Sequence, residues 1–187
     1  SDMGLTTIAP DINKSEIEFS ASQDGILFGL QGIKNVGKAA LETIFEERDK
    51  KQFIDLLDLC KRVDLRTVNK RVLENLICAG ALDNMIGNRA QKMAELEKIM
   101  AMASDHKEKM RTGQMGLFDI AGGEKKVGDE AQSYSFQIIK DWTAKQKLEK
   151  EKEVAGFYLS SHPLKSYPGA KWIKSESFTQ AFEKIKE

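Results

Sequence analysis

Lys34, Gly37 and Lys38 lie close together in the stretch Gly29-Leu30-Gln31-Gly32-Ile33-Lys34-Asn35-Val36-Gly37-Lys38, and residues of these types at this spacing suit the holding of a phosphate. Beyond Lys38 the apolar residues Ala40, Leu41 and Ile44 recur at helical spacing, so the stretch reads as two helices joined by a very tight turn. Gly37 is expected to take a backbone conformation that other residues avoid. The second helix then starts at Lys38 with its unpaired N–H groups facing outward. Such amides can hold a phosphate oxygen without reading a base. Ile33, Lys34, Asn35, Val36, Gly37 and Lys38 are therefore the first candidate binding residues. Asn35 stands where turns of this kind commonly carry a first glycine, and asparagine tolerates left-handed geometry better than most residues. The competing reading is plain packing, since short glycine-containing turns also join helices in ordinary bundles.

The one basic cluster of the sequence consists of Lys61, Arg62, Arg66, Lys70 and Arg71, opposed only by Asp64. It surrounds a predicted turn from Asp64 to Asn69 between two further helices. Alone it would be a solvated helix end with positive charge near a C-terminus. Paired with the first turn it suggests a tandem helix-hairpin-helix that grips one backbone at two places, with Arg66, Lys70 and Arg71 as the second set of contacts. Few phosphates would be touched, so binding should be weak, independent of sequence and sensitive to salt.

A third candidate is Gln114-Met115-Gly116-Leu117-Phe118, which has the form Gln-x-x-Leu-Phe. Its Leu-Phe pair needs cover, from this chain's own core or from a partner's pocket. Burying each side chain contributes roughly 1.5 to 3 kcal/mol, against roughly 1 to 2 kcal/mol for ordering each backbone residue. The peptide should bind weakly by itself and depend on a second attachment.

Catalytic chemistry is poorly provided for. His106 and His162 belong to no metal or nucleophile constellation and read as exposed helix and loop residues. The carboxylates alternate with lysines in the manner of solvated helix faces. Trp142 and Tyr158 read as packing anchors. Cys60 and Cys78 sit in apolar helical patterns without Cys-x-x-Cys spacing, as buried thiols of a reducing compartment do. With 29 basic and 29 acidic residues the net charge is zero, so nucleic-acid contact must come from local clusters. No apolar run approaches the roughly 20 residues of a membrane span, and a cytoplasmic location is expected.

The elements that must position these residues are mainly α-helical. A small N-terminal β-hairpin is predicted from Glu16–Ser20 and Ile26–Phe28 around Asp24-Gly25, followed by a helix from Lys38 to Arg48. The next helix carries Phe53, Leu56, Leu57 and Cys60 inward and ends near Val63. Asn69 caps a third, with Val72, Leu73, Leu76 and Ile77 on its apolar face and Gly80 as its stop. A long helix should run from Arg89 to Met110, capped by Asn88 and Gln91, with Met93, Leu96, Met100 and Ala103 as its seam and a solvated opposite face. A last helix from Trp142 to Ala155 ends at Gly156 and leads into an aromatic, extended segment from Phe157 to Leu164. Residues 1–3 read as the remnant of an affinity tag, which would make the chain part of something longer. Residues 4–86 form the hairpin and tandem domain, 87–118 the long helix and motif, 119–135 a mobile linker, and 136–187 a helix and extended segment leading toward a further C-terminal domain.

Taken together, these residues resemble the region after the catalytic fingers in the α subunit of bacterial DNA polymerase III. The resemblance rests on Pro10-Asp11-Ile12-Asn13 with Ser15, on Phe28-Gly29-Leu30 through Val36-Gly37, and on Val68-Asn69-Lys70-Arg71-Val72-Leu73-Glu74 ending in Ala79-Gly80-Ala81-Leu82-Asp83. Gly156-Phe157-Tyr158-Leu159-Ser160 with His162-Pro163-Leu164 completes the ordered series. The resemblance implies that the hairpins contact duplex DNA and that Gln114, Leu117 and Phe118, with Met115 and Gly116 between them, dock on the β sliding clamp. It also implies other replisome subunits as partners of the full-length protein. The family's catalytic carboxylates lie in a palm region with no counterpart here. This piece is therefore expected to be non-catalytic and to need no cofactor, while the parent would be a magnesium-dependent nucleotidyltransferase. A helical protein-interaction module without DNA binding is the main alternative, and a hairpin-containing DNA glycosylase a distant one.

Overall fold

The helices of this chain begin and end where local hydrogen-bond chemistry dictates. A computed structural model describes residues 7–23, 25–112 and 134–159. Helix α1 spans Lys38–Lys50, α2 Leu56–Arg62, α3 Lys70–Ala79, α4 Arg89–Arg111 and α5 Ala144–Ala155. Asp55 caps α2 by accepting from the Asp58 amide at 2.8 Å, and the Asp58 carboxylate returns the bond to the Ile54 amide. Asn69 does the same for Val72 at the start of α3. Asn88 with Gln91, and Thr143 with Gln146, form reciprocal capping boxes on α4 and α5. At Gly80 the chain turns left-handed, φ 83°, and the Arg89 guanidinium occupies the place where a Cβ would lie. Both conformation and space demand glycine there.

Among the described residues, three short strands form one sheet in the order β1-β3-β2: β1 Thr7–Ile8, β2 Ser20–Ser22 and β3 Gly25–Leu27. The expected hairpin exists as β2 and β3, but its first arm is Ser20–Ser22 and not Glu16–Ser20. Residues 16 and 17 instead lend their carbonyls to the Leu30 and Gln31 amides, so they brace the first turn and do not pair with β3. Strand β1, which sequence periodicity did not reveal, pairs parallel with β3 at Thr7↔Ile26 and Ile8↔Leu27.

The core is one cluster. Phe28, Leu30, Ile33, Leu41, Ile44, Leu56, Leu59, Leu73, Leu76, Ile77 and Ile99 are all but inaccessible to solvent, and Cys60 and Cys78 are buried with them. Helix α4 packs along α2 and α3, and α5 returns to cover α3.

Two expectations of a solvated surface fail. On α4 the polar side chains of Arg89, Lys92 and Glu95 are buried together with Leu96, Ile99 and Ala103. On α5 the Glu151 carboxylate has no exposure at all. Each of these charges has a partner reached only through the fold. Arg89 bonds Asp83 at 2.7 Å and Glu151 at 2.9 Å, and the second Glu151 oxygen accepts from the Leu159 amide at 2.9 Å. Lys92 donates to the carbonyls of Leu82, Met85 and Gly87. Glu95 accepts from the Tyr134 hydroxyl and, at 2.7 Å, from the Gln137 amide.

Tyr134 also corrects the far boundary of the predicted 119–135 linker. It is buried, its amide donates to Asp55 at 2.7 Å, and its ring meets Phe136 edge-on, so the fold has already resumed by this residue. The remainder of that linker, residues 119–133, and the chain from Ser160 onward lie outside the described residues. Trp142 packs against the core under the Lys150 ammonium, and the last helix begins two residues later than predicted.

Candidate nucleic-acid interface

The first turn is built on a single 3-10 turn, Leu30–Gly32, where sequence spacing suggested a full helix. Ile33 and Val36 are buried, so these two contribute no side chain to the surface; they anchor the turn in the core. Between them the Lys34 peptide is gripped on both sides. Its N–H donates to the Val154 carbonyl of α5 at 2.8 Å, and its carbonyl accepts from the Asn75 side-chain amide of α3.

The left-handed residue of the turn is Asn35, φ 62°, and not Gly37. Gly37 is extended, at φ −82° and ψ 163°, a conformation open to any residue. A Cβ placed on Gly37 would meet nothing within 4 Å. Neither backbone strain nor internal packing accounts for glycine at this position. What its small size does provide is unobstructed access to the start of α1.

That start is uncapped. No side chain bonds to it, and the Ala40 and Leu41 amides both go to the Gly37 carbonyl. The amides of Gly37, Lys38 and Ala39 have no acceptor among the described residues. They open beside a shallow depression of about 460 Å³ lined by Gln31, Gly32, Lys34, Asn35, Gly37 and Val154. Three donors at the positive end of a helix dipole form a receptor for an oxyanion. Lys34 is exposed and has no ion pair among the described residues, whereas Lys38 lies 3.7 Å from Glu42 in an exposed pair of little energetic consequence.

The second turn, between α2 and α3, is organised differently. Asp64 closes it through its carbonyl, which accepts from Thr67 and Val68, and through its carboxylate, which accepts from the Arg66 amide at 3.0 Å. Asn69 takes the Val72 amide for itself, so less of this helix start is free for a ligand. Lys70 is engaged by Glu97 of α4 at 2.5 Å and by Glu74 at 3.6 Å, which raises its pKa, the Glu97 hydrogen bond being the largest cause. Arg62 is turned inward over the Phe53 ring and toward backbone carbonyls at the end of α1. Arg66 and Arg71 remain exposed without an ion pair among the described residues. Arg71 precedes Asn75 by one helical turn and so shares the face of α3 that touches the first turn.

The structure thus brings Lys34, Asn35, Gly37, Lys38 and Arg71 toward one region, leaves Arg66 at the second turn, and pairs Lys70 with Glu97 on the surface. Asn75 and Val154 were not legible as part of this arrangement, because both act through tertiary contacts far away in sequence. Gln114, Met115, Gly116, Leu117 and Phe118 lie outside the described residues, just beyond the α4 C-cap at Thr112.

Burial pushes the Cys60 thiol up to about 12 and raises Cys78 as well, so both remain protonated and unreactive. His106 is half-buried on α4, less open than its sequence context suggested. Among the described residues no cluster of His, Cys, Asp or Glu could hold a metal ion, and no helix is long and apolar enough to cross a membrane.

A family model described as a helix-hairpin-helix motif matches residues 4–92. Among similar proteins, DNA polymerase III subunit alpha of Vibrio cholerae is 39% identical over 168 residues, covering 89% of this chain and 14% of that protein. The subunit of the same name from Thermus aquaticus is 38% identical over 186 residues, covering 99% of this chain and 14% of its own length. That of Escherichia coli K12 is 36% identical over 167 residues, or 88% and 14%. The chain therefore spans about one-seventh of the length of these relatives, the 14% common to all three.

Proposed function

We propose that this chain, matched by a helix-hairpin-helix model over residues 4–92 and similar along most of its length to DNA polymerase III subunit alpha, holds the DNA backbone for a replicative polymerase. The observation that carries this reading is the uncapped start of α1 behind a glycine whose Cβ direction is empty. A phosphate oxygen placed there would accept from the Gly37, Lys38 and Ala39 amides, with Lys34 and Arg71 adding charge. None of these groups discriminates between bases, so duplexes of any sequence are substrates for the grip. Ile33 and Val36 act only through their backbone. Arg66 is a second, outlying contact, and Lys70 becomes one only if DNA displaces Glu97.

The grip supplies no chemistry of its own. Nucleotidyl transfer, with its magnesium ions and deoxynucleotides, belongs to other parts of the longer polymerase, and this segment needs no cofactor. The same reading assigns Gln114-Met115-Gly116-Leu117-Phe118 to the β sliding clamp, directly after α4, with further replisome contacts and a cytoplasmic location following from the polymerase as a whole. Clamp and backbone contacts on one chain would reinforce each other, because release from one leaves the other at high effective concentration.

Titration of the chain with a fluorescent duplex at several salt concentrations tests the grip. Contacts with three to four phosphates predict a slope of log K against log salt of about −2.7 to −3.6. Substituting Lys34, Lys38, Arg66 and Arg71 together should abolish binding. Unchanged affinity in that variant would favour the protein-interaction alternative. Calorimetry with purified β clamp, alongside a Leu117→Ala, Phe118→Ala variant, tests the tether separately.

A further inference from the structure

We propose that Asn75 is a positioning residue for the first turn, by which the second hairpin's helix sets the geometry of the first hairpin's phosphate site. The inference rests on reading that turn as a backbone grip. Asn75 lies inside α3, where asparagine is a mediocre helix former and has no capping work to do. Its side-chain amide makes one hydrogen bond within the described residues, to the Lys34 carbonyl 41 positions earlier.

The place of that bond gives it leverage. The Lys34 carbonyl belongs to the peptide unit that leads into Asn35, the residue at φ 62°. An L-residue in this region relaxes toward negative φ unless its neighbours are held. The Val154 carbonyl holds the N–H side of Lys34 and Asn75 holds the carbonyl side. With the second anchor removed, the peptide between Lys34 and Asn35 is free to rotate. Val36 follows as far as its buried side chain allows, its amide being held to the Ile33 carbonyl at 3.1 Å, and Gly37 follows Val36. Rotation here re-aims the Gly37, Lys38 and Ala39 amides. Asn75 also stands one helical turn after Arg71, so the same contact sets the distance between that cation and the turn.

Asn75→Leu removes the donor without adding charge, and Asn75→Gln keeps a carboxamide. Both are compared with the wild-type chain by anisotropy with a fluorescent duplex over a salt series, and by amide hydrogen exchange without DNA. The leucine variant is expected to bind roughly three- to tenfold more weakly, as loss of one hydrogen bond implies. Its salt slope should shrink by about one unit. The Val36 amide should exchange severalfold faster while the melting temperature falls by no more than a few degrees, and glutamine should restore part of both the affinity and the protection. Wild-type affinity in the leucine variant, with or without faster exchange, overturns the proposal, as does unaltered Val36 exchange. Failure of the wild type to bind any duplex would instead overturn the backbone-grip reading. The two are distinguishable because exchange is measured in the DNA-free chain.

Discussion

Replacing Gly37 by aspartate should make this protein more stable and a poorer DNA binder. The residue is the N-cap of α1, already extended at φ −82° and ψ 163°, with open space where the new Cβ would go. Aspartate is a favoured N-cap; its carboxylate would accept from the Ala39 or Ala40 amide and face the positive end of the helix dipole. Relative to glycine these gains are a few tenths of a kcal/mol for the cap and about 0.3 to 1 kcal/mol for the charge. Reduced freedom of the unfolded chain adds about 0.4 to 1 kcal/mol. A net stabilisation of about 1 kcal/mol is expected, read from urea midpoints. The same carboxylate would occupy the place proposed for the phosphate oxygen. Losing a single hydrogen bond to a charged group costs about 1.5 to 3 kcal/mol, or roughly a 10- to 150-fold weaker Kd, before repulsion is added. Anisotropy with a fluorescent duplex at low salt measures that loss. Unchanged affinity would refute the placement of a phosphate at α1, and a loss of stability above about 1 kcal/mol would refute the open cap.

Three further substitutions probe the buried charges. Arg89→Met removes the guanidinium that pairs with the buried Glu151 carboxylate at 2.9 Å and with Asp83, and should destabilise by about 3 to 5 kcal/mol; chemical denaturation checks this. Burial draws the Lys92 ammonium down to about 8, below the value near 10.4 of an unfolded lysine, so between these limits the unfolded chain binds more protons than the folded one. Wild-type stability relative to Lys92→Met should therefore rise from pH 8 to about 10.4, and a flat difference would refute the assignment. Tyr134→Phe removes a hydrogen bond that, ahead of the Gln137 amide, holds the Glu95 carboxyl below the usual carboxylate range. It should cost about 1.5 to 3 kcal/mol at pH 7, and the difference from wild type should vanish as pH falls through the folded Glu95 value, because a depressed carboxylate stabilises only while ionised.

What could be read from the sequence was local. Asn69, Asn88 with Gln91, Gly80 and Gly156 end or begin helices through bonds to residues within four positions, and each does so where its type indicated. The apolar faces of α1 and α3 and the burial of both cysteines were equally legible, because helical periodicity is written in neighbouring residues. Tertiary structure decided which polar groups remain available. Lys70 looked like Arg66 and Arg71 in sequence, but Glu97 arrives on another helix and claims it. Tyr134 looked like linker until Asp55 and Glu95 received it. The first turn divides in the same way. Its existence, its lysines and its glycine stand in one short stretch, whereas the choice of Asn35 over Gly37 as the left-handed residue depends on a peptide held from α3 and α5, far away along the chain. A sequence specifies which bonds a residue is able to make; folding determines which partners come close enough to make them.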